Sequence, residues 1–169
     1  MYALEGSDLR RSLLVNNGGE SQIKLVARPV QHAERIKNRL RELGLNRYEL
    51  WSSESRYLPH VIHPEEHIGG VVFGYKEGSL VMMVATDQRV MILDKKPLFV
   101  NKDELNYDML GGVRFTHAGI GSTVTLHTRI EEHSLVTFNK TAAERFVSYI
   151  EAMSLDNASR GVRPPRFTY

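Results

Sequence analysis

Apolar and polar positions change period twice along the chain. Between Gln31 and Leu43 the apolar residues Ala33, Ile36, Leu40 and Leu43 recur at steps of three and four, a narrow stripe on one face of a helix. Gly44 follows at the position where a C′ glycine ends a helix. Asn46 with Glu49 three residues later approximates a capping box, so a second helix is predicted, carrying Tyr48, Trp51 and Leu58 and ending by Pro59. From about Ile68 the period falls to two. Strands are predicted over 70–76, 79–86 and 89–93, near 98–100, and over 104–107, 112–117, 122–130 and 134–139. Turns fall at Glu77-Gly78, Asp87-Gln88, 118–121 and 131–133. After Asn139 the helical period returns, with Thr141 as N-cap, Glu144 at N3, and Ala143, Phe146, Val147, Ile150 and Met153 on one face.

About seven short strands with regular turns imply an antiparallel sandwich or barrel, and the last helix must lay its apolar face on one end of it. The predicted interior is Val72, Leu80, Met82, Val84, Val90, Ile92, Val113, Phe115, Val124, Leu126, Leu135 and Phe138, or the neighbours of opposite parity, since a shift of one residue turns every side chain over. Residues 1–29 read as an arm or as a hairpin turning at Asn16-Asn17-Gly18-Gly19, and 156–169 as a flexible tail. The expected division is therefore 1–29 arm or hairpin, 30–63 helical extension, 64–155 strand-rich domain and 156–169 tail.

Composition narrows the function. Lys and Arg number 22 and Asp and Glu 20, a balance that argues against a nucleic-acid partner. There is no cysteine, no leader-like start and no apolar run near the roughly 20 residues that span a bilayer, so a cytoplasmic protein is expected.

Three sets of residues raise specific chemistry. His60, His63 and His67 have the spacing of metal ligands on a helix, but Pro64 breaks such a helix; they are weak candidates beside the expectation of no metal and no cofactor. Lys76, Arg89, Lys95 and Lys96 lie at or near predicted turns and are the candidates for an anion or lipid headgroup, with weak, salt-sensitive membrane contact. Asp87 and Arg89 flank one turn and are expected to pair as structural ions. The stripe of Ile36, Leu40 and Leu43 packs either on the protein's own strands or on a second subunit, and these are the candidates for self-association. The glycines of 69–70 and 119–121 lack the strand-to-helix context of a phosphate loop. No nucleophile–base motif is present, and no enzyme activity is expected.

The order of elements, strands followed by one capped helix, resembles the pleckstrin-homology fold. The segment GVVFGYKEGSLVMMVATDQRVMILDKK (70–96), with Ala85-Thr86-Asp87 and Arg89, is similar to the core of bacterial PH-like proteins of the YokE-like group, as are LNYDMLGGV (105–113) and AAERFVSYIEAM (142–153). The resemblance implies a PH-like barrel of about seven antiparallel strands capped by a C-terminal helix, with two helices ahead of it. It also implies a non-catalytic binding module for a protein partner or for homo-oligomeric assembly. Anionic-membrane or headgroup binding is the alternative, and metal or small-molecule binding through 60–67 a second.

Overall fold

The structure, a computed structural model, describes residues 17–161, with side chains from 29 to 159. The elements run α1 (Asn17–Glu42), α2 (Arg47–Leu50), α3 (Ser53–Tyr57), a 3-10 turn at Leu58–His60, β1 (Ile68–Lys76), β2 (Ser79–Thr86), β3 (Arg89–Lys95), β4 (Val100–Asn106), a 3-10 turn at Tyr107–Met109, β5 (Leu110–Ala118), β6 (Gly121–Thr128), β7 (Glu132–Thr137) and α4 (Lys140–Gly161). The chain divides into two compact units, 1–31 and 32–169. In the first, Asn17, Gly18 and Gly19 open α1 instead of turning a hairpin, and the helix formers Gln22, Lys24, Leu25 and Ala27 follow them. Pro29 withholds one N–H inside that helix. Met1–Asn16, the rest of the expected arm, lies outside the described residues.

In the second unit seven strands form one antiparallel sheet in the order β4-β3-β2-β1-β7-β6-β5. The sheet is not closed: β4 and β5 are its two edges. It folds over an interior made of Val72, Met83, Ala85, Val90, Ile92, Val124, Leu126 and Leu135, sealed by Ala143, Phe146 and Ile150 of α4. The expected strands near 98–100 and 104–107 are one strand, β4, and Leu98-Phe99 belong to the turn before it.

The outer face of β1–β3 carries a second apolar layer. Ile36 and Leu40 from α1, with Leu43 just past its end and Leu45, Leu58 and Ile62, bury Val71, Phe73, Met82, Val84, Met91 and Leu93. This explains why β2 misleads. It is apolar on both faces because both are covered, so alternation cannot orient it. Val81, Met83 and Ala85 point inward, Met82 and Val84 outward, and Leu80 lies at the surface. Phe138, also expected inside, is exposed just past the end of β7.

Local chemistry sets the joints. Asn46 and Glu49 form the expected capping box at α2. The predicted second helix then breaks, because the Ser52 hydroxyl accepts from the Ser55 N–H and starts α3. At α4 the cap is Asn139, not Thr141: its Oδ1 accepts the Ala142 N–H at 3.1 Å. The helix continues to Gly161, so 156–161 of the expected tail are helical. Hydrogen bonds from Arg39 Nε to the Ile68 carbonyl (2.7 Å) and from Asn139 Nδ2 to the Gly44 carbonyl (3.2 Å) tie the helical layer to the strands.

Candidate functional site

The histidine segment is organised around a carboxylate. His63 to Glu66 is a β-turn with Pro64 at its second position and a Glu66 N–H to His63 carbonyl bond of 3.0 Å. The turn drives Glu66 inward until its side chain is fully buried. There Arg89 donates to both carboxylate oxygens, at 3.1 and 3.0 Å, and Thr86 Oγ1 donates at 2.7 Å. Arg89 also donates to the Val61 carbonyl and to Glu104. Burial alone would raise the Glu66 carboxyl; the bonds from Arg89, Thr86 and the His63 N–H, with the Arg89 charge, outweigh it and hold the group below the ordinary value. Arg89 is therefore committed to a structural hub and is set apart from the other headgroup candidates. Its partners are Glu66 and Glu104, while Asp87 faces His67 Nδ1 at 3.2 Å.

The three histidines keep to the surface. The His60 ring lies tilted against the Tyr57 ring at 5.8 Å between centroids, His63 is exposed, and His67 meets Asp87. Among the described residues no three His, Asp or Glu side chains are grouped as metal ligands must be. The stripe of Ile36, Leu40 and Leu43 meets the first of its two expected fates. It is buried on the protein's own strands, which leaves it no surface for self-association.

Strand alternation sorts the remaining charges. Ile92, Asp94, Asn101 and Asp103 point into the mouth of the sandwich, where they join Lys76, Glu77, Ser79 and Val81 around a cavity of about 200 Å³. Three carboxylates against Lys76 make this mouth hostile to anions, and Lys96, on the same side, is paired to Asp94 at 3.0 Å. Lys95 and Lys102 take the opposite parity, on the outer face. The four basic candidates thus separate into Arg89 in the hub, Lys76 at the acidic mouth, Lys96 beside it and Lys95 outside.

A different surface collects aromatic side chains. The sheet halves meet at β1 and β7, which share one register pair, Tyr75 with Val136. Over this seam lies a groove of about 650 Å³ lined by Tyr48, Glu49, Phe73, Tyr75, Leu80, Phe138 and Lys140, among others. Tyr48 is 90% exposed and Phe138 66%, and Tyr75, Leu80 and Val136 are partly exposed around them. Burial pushes the Glu49 carboxyl up, against the lowering effect of the Asn46 N–H that donates to it at 2.7 Å. Part of this cluster was legible in sequence. The two-residue turn Glu77-Gly78, both with positive φ, makes Tyr75 and Leu80 cross-strand partners. Phe138 and Tyr48 join through tertiary packing, which has no local signal.

Comparison with known proteins places this architecture. Residues 62–152, more than half of the chain, match the family described as bacterial PH domain. Among solved structures, the chain is similar to a DUF1696 family protein with a pleckstrin-homology domain from Shewanella loihica PV-4, at 16% identity, 66% of this chain, 96% of that one and a TM-score of 0.35. It is also similar to the hSac2 domain of human phosphoinositide phosphatase Sac2, at 12% identity, 72% of this chain, 89% of that one and a TM-score of 0.42. No curated protein matches it in sequence. With its seven-stranded antiparallel sheet, its C-terminal helix and its match over 62–152, the chain belongs to the bacterial PH domain family.

Proposed function

We propose that the chain is a non-catalytic protein-binding module and that its contact surface is the aromatic groove over the β1–β7 seam. The observation that carries this reading is the exposure of Tyr48, Tyr75, Leu80 and Phe138 together around one groove. Tyrosine and phenylalanine hold large apolar area at little rotamer cost, which is why aromatic side chains dominate the energetic centres of protein interfaces. Covering such area contributes roughly 25 cal/mol per Å². Membership in a PH family supports a binding role. The partner is another protein or a second copy of this chain; in either case it docks here and not on the buried stripe of α1.

A photo-crosslinking residue at Phe138 tests this in the native host. Discrete adducts are expected from Phe138, and Tyr75→Asp suppresses them. An adduct of twice the chain's mass identifies self-association. The control is Leu155, exposed and about 21 Å further along α4 than the groove residue Thr141. Equal adducts from Phe138 and Leu155, or adducts indifferent to Tyr75→Asp, overturn the proposal.

A further inference from the structure

At the far end of α4 from the aromatic groove lies a larger cavity, of about 820 Å³. Its walls are the β2–β3 turn, the Tyr107–Met109 turn with the start of β5, and the last turns of α4. Leu110 and Met153 make part of the lining apolar. Asp87, Asp108 and Asp156 give it negative charge, and among the described residues no lysine or arginine lines it. Asp87 is shared with His67, which donates its N–H at 2.9 Å and faces it with Nδ1 at 3.2 Å, and Asp156 has a partner. Asp108 is exposed and takes part in no hydrogen bond or ion pair among the described residues.

The sequence that follows α4 carries the opposite charge. After Gly161 it reads Val-Arg-Pro-Pro-Arg-Phe-Thr-Tyr (162–169), with Arg163 and Arg166 and no Asp or Glu. Pro164 and Pro165 fix their own φ near the polyproline II value and bias Arg163 toward the same extended form. Three residues make one turn of that helix, so Arg163 and Arg166 are predicted on one face, about 9 Å apart, with Phe167 on another. Gly161 lies about 12 Å beyond Met153 along α4. A chain that reverses after Gly161 covers that distance in four residues, which brings Arg166 level with Met153. The aromatic groove is too far, since Thr141 lies about 30 Å back along α4 and 162–169 spans only about 25 Å as polyproline II.

We propose that this cavity is a docking site for the chain's own segment 162–169, with Arg163 and Arg166 turned toward Asp108 and the shared Asp87, and Phe167 against Leu110 and Met153. Charge complementarity selects the occupant, because a carboxylate-lined cavity without a cation takes a segment that carries two arginines and no acid. The prolines lower the cost of ordering it, since a polyproline II segment is already extended before it binds. Docked there, the segment covers Leu110, where the edge strand β5 begins. A basic segment of another protein would then have to displace it.

The chain has no cysteine, so Thr168→Cys places a single nitroxide on the full chain. Paramagnetic broadening of backbone amide signals then reads where the segment lies. Gln88, Asn106 and Asp108 of the cavity are expected to broaden strongly, while Leu98 and Phe138 stay sharp. Arg163→Glu with Arg166→Glu lowers the docked-to-free ratio by roughly tenfold, two surface ion pairs counting about threefold each. Added salt acts in the same direction. Asp108→Arg weakens docking likewise, and Asp108→Arg with Arg166→Asp recovers it, which separates direct pairing from a loss of fold. Asp108 is exposed, so thermal melting of its variants stays at the parent value. Broadening confined to the last turn of α4, which would leave the cavity to another protein, overturns the proposal. So does broadening indifferent to either charge reversal, or failure of the exchanged pair to recover it. Broadening that passes from labelled chains to unlabelled, isotope-enriched ones also overturns it, by assigning the cavity to the segment of a second copy.

Discussion

Replacing Arg89 by alanine is expected to destabilise the protein by about 3–5 kcal/mol, because it strands the buried Glu66 carboxylate without its counter-ion. Glu66→Ala costs a similar amount, since it unpairs Arg89 and releases the His63 and Thr86 donors together. The double replacement Glu66→Leu with Arg89→Met is milder than either single change, as a buried pair replaced by apolar volume often is. Urea denaturation of the parent, the singles and the double measures this. Singles that cost less than about 1 kcal/mol would show that the hub is dispensable. The pair also sets an acid response. Glu66 titrates below its ordinary 4.5 in the folded state, so its contribution is complete above that value and is lost as pH falls through the lowered one. Glu66→Gln removes that part of the acid slope, and comparison of the two stability curves between neutral pH and acid reads it directly.

The second large effect is expected at the seam. A Cβ on Gly74 stands 2.2 Å from the Val136 carbonyl oxygen and 2.5 Å from Leu135 Cδ2. The first obstacle is backbone of the strand that β1 must pair with, and it cannot swing aside. Gly74→Ala therefore forces β1 and β7 apart, at a cost of about 3 kcal/mol, less the roughly 0.4–1 kcal/mol that alanine gains by restricting the unfolded chain. Gly78→Ala provides the contrast. Gly78 lies at φ +80° with nothing within 4 Å, so only the left-handed backbone opposes it, at about 1–2 kcal/mol. Denaturation midpoints that rank Gly78→Ala as the more damaging would contradict this account of the seam. Because the aromatic groove sits over the same junction, Gly74→Ala also weakens crosslinking from Phe138.

Much of this fold was legible in sequence because its elements carry local signals. The Glu77-Gly78 turn fixes the first hairpin, the Asn46–Glu49 box starts α2, and the stripe through Phe146 and Ile150 commits α4 to the interior. Reading failed where the deciding partner is distant. Glu66 and Arg89 are far apart in sequence, and nothing near either announces the other. Leu80 and Met82 have the same parity and chemistry, yet one is at the surface and the other buried under α1, because the helical layer ends between them. The site was least legible of all. Lys76, Arg89, Lys95 and Lys96 are near neighbours along the chain, but pleating and hairpin turns send them to different faces.

The open sheet has a consequence for the protein's life in a crowded cell. An unpaired edge strand is a template on which another chain's strand can grow, the first step toward fibrils. At the β4 edge the run Asn101-Lys102-Asp103-Glu104 blocks this with charge of both signs. The β5 edge, Leu-Gly-Gly-Val-Arg-Phe-Thr-His-Ala, has far less charge, and α4 packs alongside it. The C-terminal helix is thus a guard as well as a cap. A chain whose α4 is late to dock during synthesis, or is clipped by a protease, offers its neighbours a bare, growing edge.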